Sequence, residues 1–197
     1  MNSAKNKNSS KPKTSLPLTA YNLKLIGLSI ALVVCALDLA SKYLAFNFLD
    51  GSGGGLEDQS RQFVVTGFFN LVQVWNKGVS FGMFNWLRYG KYIILGVNIA
   101  IVIVLIIWLT RTSSLYLSIA LGFIIGGAFG NIIDRIINGG VADFLDFHAF
   151  GYHWPAFNLA DSAVFLGVFL LLMENYFVQS KPVNSKEDKK NISKNEK

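Results

Sequence analysis

Charged residues are scarce in this sequence: they make up 15% of 197 residues, against about 25% in an ordinary soluble domain. Cysteine is rarer still, because Cys35 is the only one, and a single thiol cannot form a disulfide within the chain. Histidine occurs twice, and no H-E-x-x-H motif is present. These shortages argue against a soluble domain, a disulfide-stapled scaffold and a zinc-dependent hydrolase, and we expect neither a metal nor another cofactor.

Hydrophobic residues, by contrast, make up 52% of the chain and are gathered into four long runs. The runs approach or exceed the roughly 17–25 residues that cross a bilayer as a helix. They cover residues 23–46, 92–109, 115–137 and 157–178. We therefore predict an all-α membrane protein with four transmembrane helices and a small extracytoplasmic β-hairpin or sheet and loop. The first run continues past Cys35 without a small-residue cleavage site, so it is predicted to be a retained helix.

The distribution of lysine and arginine predicts the topology. Twelve of the 18 lie on the side shared by both termini and the turn at Arg111. Because positive segments stay in the cytoplasm, both termini are predicted to be cytoplasmic. Residues 1–20 and 180–197 are predicted to be disordered tails near anionic lipid, flanking a membrane domain over residues 21–179. The net charge of +6 is thereby assigned to the membrane surface rather than to nucleic acid.

Two further features concern organisation. Residues 61–84 hold two runs rich in β-branched and aromatic residues around an Asn-Lys-Gly turn, which predicts a hairpin across that turn. The preceding glycine-rich residues 51–55 are interpreted as a linker. In the third run, Gly122, Gly126 and Gly130 are spaced by four, which predicts a seam of close helix packing in lipid.

Polar residues inside the runs are the strongest functional signal, because ionisable groups in membrane spans are rare and usually functional. Under the predicted topology they all lie in the outer parts of their helices. Residues four apart share a helix face, so an ion pair within the first run is expected. The set comprises Asp38 and Lys42 in the first run, Asn131, Asp134 and Arg135 in the third, and Asn158 and Asp161 in the fourth.

Asp143 follows the third run and is separated from Asp161 by a loop, so only tertiary folding can bring the two together. Two adjacent carboxylates in a poorly hydrated site share a proton, which suits general acid–base activation of water for amide hydrolysis. Asp146 is interpreted as an incidental loop charge. A proton-coupled transporter and a non-catalytic scaffold are the alternatives that the residues leave open.

At these residues the sequence resembles bacterial lipoprotein signal peptidase, or signal peptidase II. The blocks that carry the resemblance occur in the family's order. They are DLASK at residues 38–42, NKGVSFGMF at 76–84, GNIIDRIINGGVADF at 130–144 and FNLADS at 157–162.

The resemblance implies an aspartic endopeptidase of the bacterial cytoplasmic membrane. It would cut diacylglyceryl-modified prolipoproteins before the lipidated cysteine, at the extracytoplasmic face, and globomycin-type peptides would inhibit it. Asp143 and Asp161 match the family's catalytic pair. The residues that match positions lining or bracing the site are Asn76, Asn131, Arg135, Asn158, Asp134 and Asp38, and Lys42 is added as the expected partner of Asp38. A monomer in membrane lipid is expected.

Overall fold

The computed structural model describes residues 20–51, 61–78 and 90–179. Four helices and four strands lie in these ranges. In chain order they are α1 (Ala20–Gly51), β1 (Gln62–Thr66), β2 (Phe69–Asn76), α2 (Gly90–Arg111), α3 (Leu115–Asn138), β3 (Val141–Ala149), β4 (Tyr152–His153) and α4 (Leu159–Gln179). The chain is thus mostly helical with a small antiparallel sheet. Most of the two predicted tails, the greater part of the glycine-rich linker and residues 79–84 lie outside the described residues.

The four predicted spans all fall on helices. Among the described residues, three helical segments are long and apolar enough to cross a membrane: Tyr21–Gly51, Gly90–Arg111 and Leu115–Asn138. α4 has 21 residues and is therefore about 32 Å long, close to the thickness of a bilayer core. Its crossing of the membrane remains a prediction.

Helix α3 lies at the centre of the bundle because its glycines let neighbouring backbones approach. A Cβ built on Gly122 would lie 2.7 Å from the Gly27 carbonyl oxygen of α1. One built on Gly126 would lie 2.5 Å from the Ala31 carbonyl oxygen, also of α1. The predicted glycine seam is confirmed, and α1 is the helix that packs on it.

The predicted hairpin across residues 76–78 has its second run at residues 79–84, which lies outside the described residues. The first two strands both lie within residues 61–76, and they pair antiparallel around a turn at Gly67 and Phe68. The Asn-Lys-Gly segment does turn, because the Asn76 Oδ1 accepts a hydrogen bond from the Gly78 backbone N–H and Gly78 has a φ of 76°. That turn comes after β2 has ended.

Strand β2 pairs on its other side with β3, which forms where a loop was predicted. The sheet order is β1-β2-β3-β4, and the register sets Val74 opposite Asp143 and Asn76 opposite Val141. α3 ends at Gly139, whose φ of 72° and bond from its N–H to the Arg135 carbonyl form a left-handed C-cap. The chain therefore leaves α3 and enters β3 within three residues.

Candidate active site

The two predicted catalytic carboxylates come from different elements that the fold brings side by side. Asp143 is the third residue of β3 and is 1% exposed, while Asp161 lies in the first turn of α4 and is partly exposed. The return of the chain is anchored by Phe157, whose N–H donates to the Leu145 carbonyl at 3.1 Å. This bridge places the start of α4 beside β3, and the two carboxylates interact electrostatically.

Asn158 connects both carboxylate segments. It is fully buried, and its Nδ2 donates to Asp143 Oδ1 at 2.7 Å and lies 3.2 Å from Asn131 Oδ1. Its Oδ1 accepts a bond from the Asp161 backbone N–H at 2.9 Å, so the same side chain is the N-cap of α4. Orientation of Asp143 and initiation of the helix that carries Asp161 thus depend on one amide.

Two further asparagine side chains donate hydrogen bonds to the two carboxylates. Asn76, at the end of β2, donates from Nδ2 to Asp143 Oδ2 at 3.0 Å, and Asn131 of α3 donates from Nδ2 to Asp161 Oδ1 at 2.8 Å. Both oxygens of Asp143 therefore accept a hydrogen bond from an asparagine. Neutral amide donors orient a carboxylate without supplying a full positive charge. They therefore lower its pKa less than a bonded cation would, and one carboxyl of the pair can keep a proton more easily.

The electrostatics of Asp143 favour the protonated carboxyl group more than in an ordinary aspartate. Burial, reinforced by the negative charge of Asp161, raises the pKa of Asp143 to about 6, while the bonds from Asn76 and Asn158 and the charge of Lys42 oppose the rise. The Arg135 guanidinium donates to the Asn131 carbonyl at 3.2 Å and attracts both Asp143 and Asp161. The pair thus combines a buried acid with a more accessible carboxylate.

We expect Asp143→Asn to become more stable relative to wild type as the pH rises from 4 to 7.5. The folded pKa of Asp143, about 6, exceeds its ordinary value of 3.8, so its contribution to stability is fully present below about pH 4 and is lost as the pH passes through 6. The full difference corresponds to about 3 kcal/mol of unfolding free energy. Thermal unfolding in detergent at both pH values measures it. Parallel pH curves for the two proteins would contradict it.

A groove of about 540 Å³ opens beside Asp161 between α2, α3 and α4. Its polar end is formed by Asn131, Arg135 and Asp161. The remaining lining is predominantly apolar and includes Ile101, Ile124, Ala128, Val164 and Phe165. An apolar groove that reaches one carboxylate of the pair, Asp161, can hold hydrocarbon while presenting a polar bond to that carboxylate.

All nine predicted site residues lie in one connected network. Asp38 and Lys42 form the expected ion pair within α1, at 2.7 Å. Lys42 also pairs with Asp134 at 2.8 Å, and its ammonium donates to Asn131 Oδ1 at 3.0 Å. Asp134 accepts a hydrogen bond from the backbone N–H of Ala142, the second residue of β3. No group of three His, Cys, Asp or Glu side chains in the described ranges is placed to hold a metal.

The interpretation of Asp146 as an incidental loop charge is wrong. Its carboxylate is buried on β3, accepts a bond from Asn70 Nδ2 of β2 at 2.8 Å and lies 2.9 Å from His153 Nδ1. Burial raises the pKa of Asp146, but these contacts and the nearby histidines outweigh burial and leave it below its ordinary value. Sequence reasoning missed Asn70 because the β2–β3 pairing that brings it to Asp146 is long-range, and it missed His153 because the short β3–β4 pairing was predicted to be a loop.

Asp146→Ala is expected to lower the free energy of unfolding by about 2–3 kcal/mol, because the buried amide of Asn70 loses its acceptor. The matched control is Asp50→Ala, which removes an exposed ion pair with Arg61 and should cost less than about 1 kcal/mol. Thermal unfolding of the three proteins measures both effects. Equal losses in the two variants would show that the Asp146 contacts add nothing beyond a surface pair.

Comparison with known proteins decides the family. The family described as Signal peptidase (SPase) II matches residues 30–177, which include every site residue named above. The chain belongs to the signal peptidase II family. The protein is therefore a peptidase, and its apolar helices agree with a membrane location.

Relatives and solved structures support the assignment. A lipoprotein signal peptidase of Anaplasma phagocytophilum is 39% identical over 148 residues, which is 75% of this chain and 90% of that protein. A lipoprotein signal peptidase of Burkholderia multivorans is 41% identical over 152 residues, which is 75% of this chain and 85% of that protein. A bacterial membrane enzyme solved in meso at 2.3 Å resolution has a TM-score of 0.65 and 28% identity, covering 81% of this peptidase and 92% of that chain.

Proposed function

We propose that this peptidase removes signal peptides from diacylglyceryl-modified prolipoproteins by cutting before the lipidated cysteine, with Asp143 and Asp161 activating the attacking water. The observation that carries the proposal is the carboxylate pair, which three asparagines hold and whose member Asp161 lines an apolar groove. The groove offers the hydrocarbon part of a lipidated substrate a place beside the pair. No metal is needed for this reaction class.

The proposed chemistry gives the two carboxyl groups different tasks. Asp161, which faces the groove, accepts a proton from water as the water oxygen attacks the scissile carbonyl carbon. Asp143, whose raised pKa makes its protonated form more accessible than that of an ordinary aspartate, supplies the proton that the departing amide nitrogen needs when the C–N bond breaks. The products are a carboxyl end on the signal peptide and a free amino group on the lipidated cysteine.

The proposal also covers location and inhibition. Both termini are assigned to the cytoplasm, because most lysines and arginines lie on that side, and α4 is assigned as the fourth span. The carboxylate pair then lies near the extracytoplasmic interface, where a lipid-anchored bond is presented. A monomer surrounded by membrane lipid suffices, since the described chain supplies the whole pair. Globomycin-type peptides are expected to block the groove.

The decisive experiment is cleavage by the purified full-length protein in lipid nanodiscs of two precursors that differ only in the diacylglyceryl group. We expect the lipidated precursor to be cut immediately before the modified cysteine, as read by mass spectrometry, and the unmodified one to be cut at least about 100-fold more slowly, because binding by remote groups is used to accelerate the reaction. Equal rates would overturn lipid recognition. No cleavage of either precursor by folded protein would overturn the function.

A further inference from the structure

Lys42 is a buried lysine that the proposed chemistry does not use. Its side chain is 4% exposed, and its ammonium lies within 3.0 Å of three oxygens. The oxygens belong to Asp38 of α1, Asp134 of α3 and Asn131 of α3. An ammonium has three N–H donors, so this geometry occupies all of them.

The two carboxylates that Lys42 joins have second partners on the backbone. Asp38 Oδ1 accepts the Ala160 N–H at 2.8 Å, and Asp134 Oδ2 accepts the Ala142 N–H at 3.2 Å. Ala160 immediately precedes Asp161, and Ala142 immediately precedes Asp143. The amide just before Asp161 therefore bonds to Asp38, and the amide just before Asp143 bonds to Asp134. Both of these carboxylates are ion-paired with Lys42.

The contact to Ala160 lies where local structure leaves a backbone amide without a partner, whereas Ala142 lies in β3 opposite Trp75 of β2. Ala160 lies in the first turn of α4, where backbone N–H groups have no partner within the helix. Asp38 is fully buried against Gly130, where a Cβ would collide with its carboxylate, so it has little freedom to move away. Asp134 is buried likewise on α3. The network forms a rigid path from one catalytic segment to the other.

We propose that Lys42 is a positioning residue that sets the separation of Asp143 and Asp161. It does so by holding Asp38 and Asp134 together, and through them the amides of Ala160 and Ala142. The two aspartates lie on separate elements, β3 and α4, so no single helix or strand fixes their distance. This inference rests on the proposed role of the pair in catalysis.

The competing explanation is that Lys42 only neutralises buried charge. Two variants separate the explanations. Lys42→Arg keeps the charge but replaces one three-donor centre with a planar guanidinium that is longer and cannot reproduce the geometry. The double variant Lys42→Met/Asp38→Asn removes one positive and one negative charge together, so the network keeps its net charge but loses its bridge. Lys24→Met is the matched control, about 27 Å away along the same helix.

Cleavage of the lipidated precursor provides the first measurement. Because displacement by about 1 Å costs on the order of 100-fold in rate, we expect Lys42→Arg and the double variant to lose about that much kcat. KM should change less than about threefold, since Lys42 does not line the groove. Lys24→Met should match wild type. Wild-type kcat in either Lys42 variant, or a loss confined to KM, would overturn the proposal.

Backbone hydrogen exchange provides a second measurement that needs no substrate. In both Lys42 variants we expect the amides of Ala142 and Ala160 to exchange about tenfold faster or more, while α2 keeps its protection. Unchanged exchange at both amides would overturn the positioning role even if cleavage were lost. If exchange rises as expected but the wild-type protein cleaves no lipidated precursor, the proposed function fails and the positioning role stands.

Discussion

Asp143→Asn and Asp161→Asn will each lower kcat for the lipidated precursor by about four orders of magnitude or more. Asparagine preserves size and one hydrogen-bond acceptor, so Asn131 keeps its partner at position 161. At position 143 one of the two donors, Asn76 or Asn158, loses its acceptor, so stability should fall by about 1–3 kcal/mol while the fold survives. The variant loses the ability to exchange a proton with water or with the leaving amine. The loss is therefore chemical, and KM should change little.

The double variant tests whether the two carboxylates act as a unit. Groups that share one proton-transfer step are strongly non-additive, so Asp143→Asn/Asp161→Asn should be about as slow as either single variant. Asp50→Asn, at an exposed position, is the matched control and should retain full activity. Losses that multiply in the double variant would show two independent roles. Normal processing by either single variant would end the assignment of the pair.

Asn158→Leu is expected to lower kcat by about 100- to 1,000-fold and to destabilise the protein by about 2–4 kcal/mol. Leucine has similar size but lacks the donor to Asp143 and the acceptor for the Asp161 N–H, and it leaves their polar atoms buried without those partners. Cleavage kinetics and thermal unfolding in detergent measure the two effects separately.

Asn158→Ser divides the two roles of this side chain. Serine is a good N-cap, so α4 should keep most of its stability, within about 1 kcal/mol of wild type. Its short hydroxyl does not reach Asp143 as the Asn158 amide does, so activity should fall nearly as far as in Asn158→Leu. Full activity with Asn158→Ser would show that helix capping is the whole role of Asn158.

Membership of a peptidase family argues against the transporter and the scaffold, the two alternatives that the residues alone left open. A transporter would use membrane carboxylates for proton-coupled flux, and a scaffold would not need them. The peptidase family assignment accounts for the carboxylate pair, the groove and the order of the motifs together. The substrate and the cleavage site remain for the experiments above to test.

Much of the site could be predicted because its signals are local. Asp38 and Lys42 are four residues apart on one helix, so their ion pair follows from helical geometry. The resemblance of the sequence blocks to signal peptidase II led to the hypothesis that Asp143 and Asp161 form a pair. The asparagines' hydrogen bonds could not be derived, because Asn76 and Asp143 are 67 residues apart and meet only through the β2–β3 register.

The sequence by itself determined the long apolar helices, the close-packed glycine face and the polar residues within the runs. These follow from run length and periodicity, which each segment carries on its own. Only the tertiary structure decided that the β1–β2 hairpin turns at Gly67, that Asp146 is buried against Asn70, and that Lys42 joins the two carboxylates that bind the amides preceding Asp143 and Asp161. Strand register and buried hydrogen bonds depend on segments distant in the chain, and no local pattern encodes which partner lies opposite.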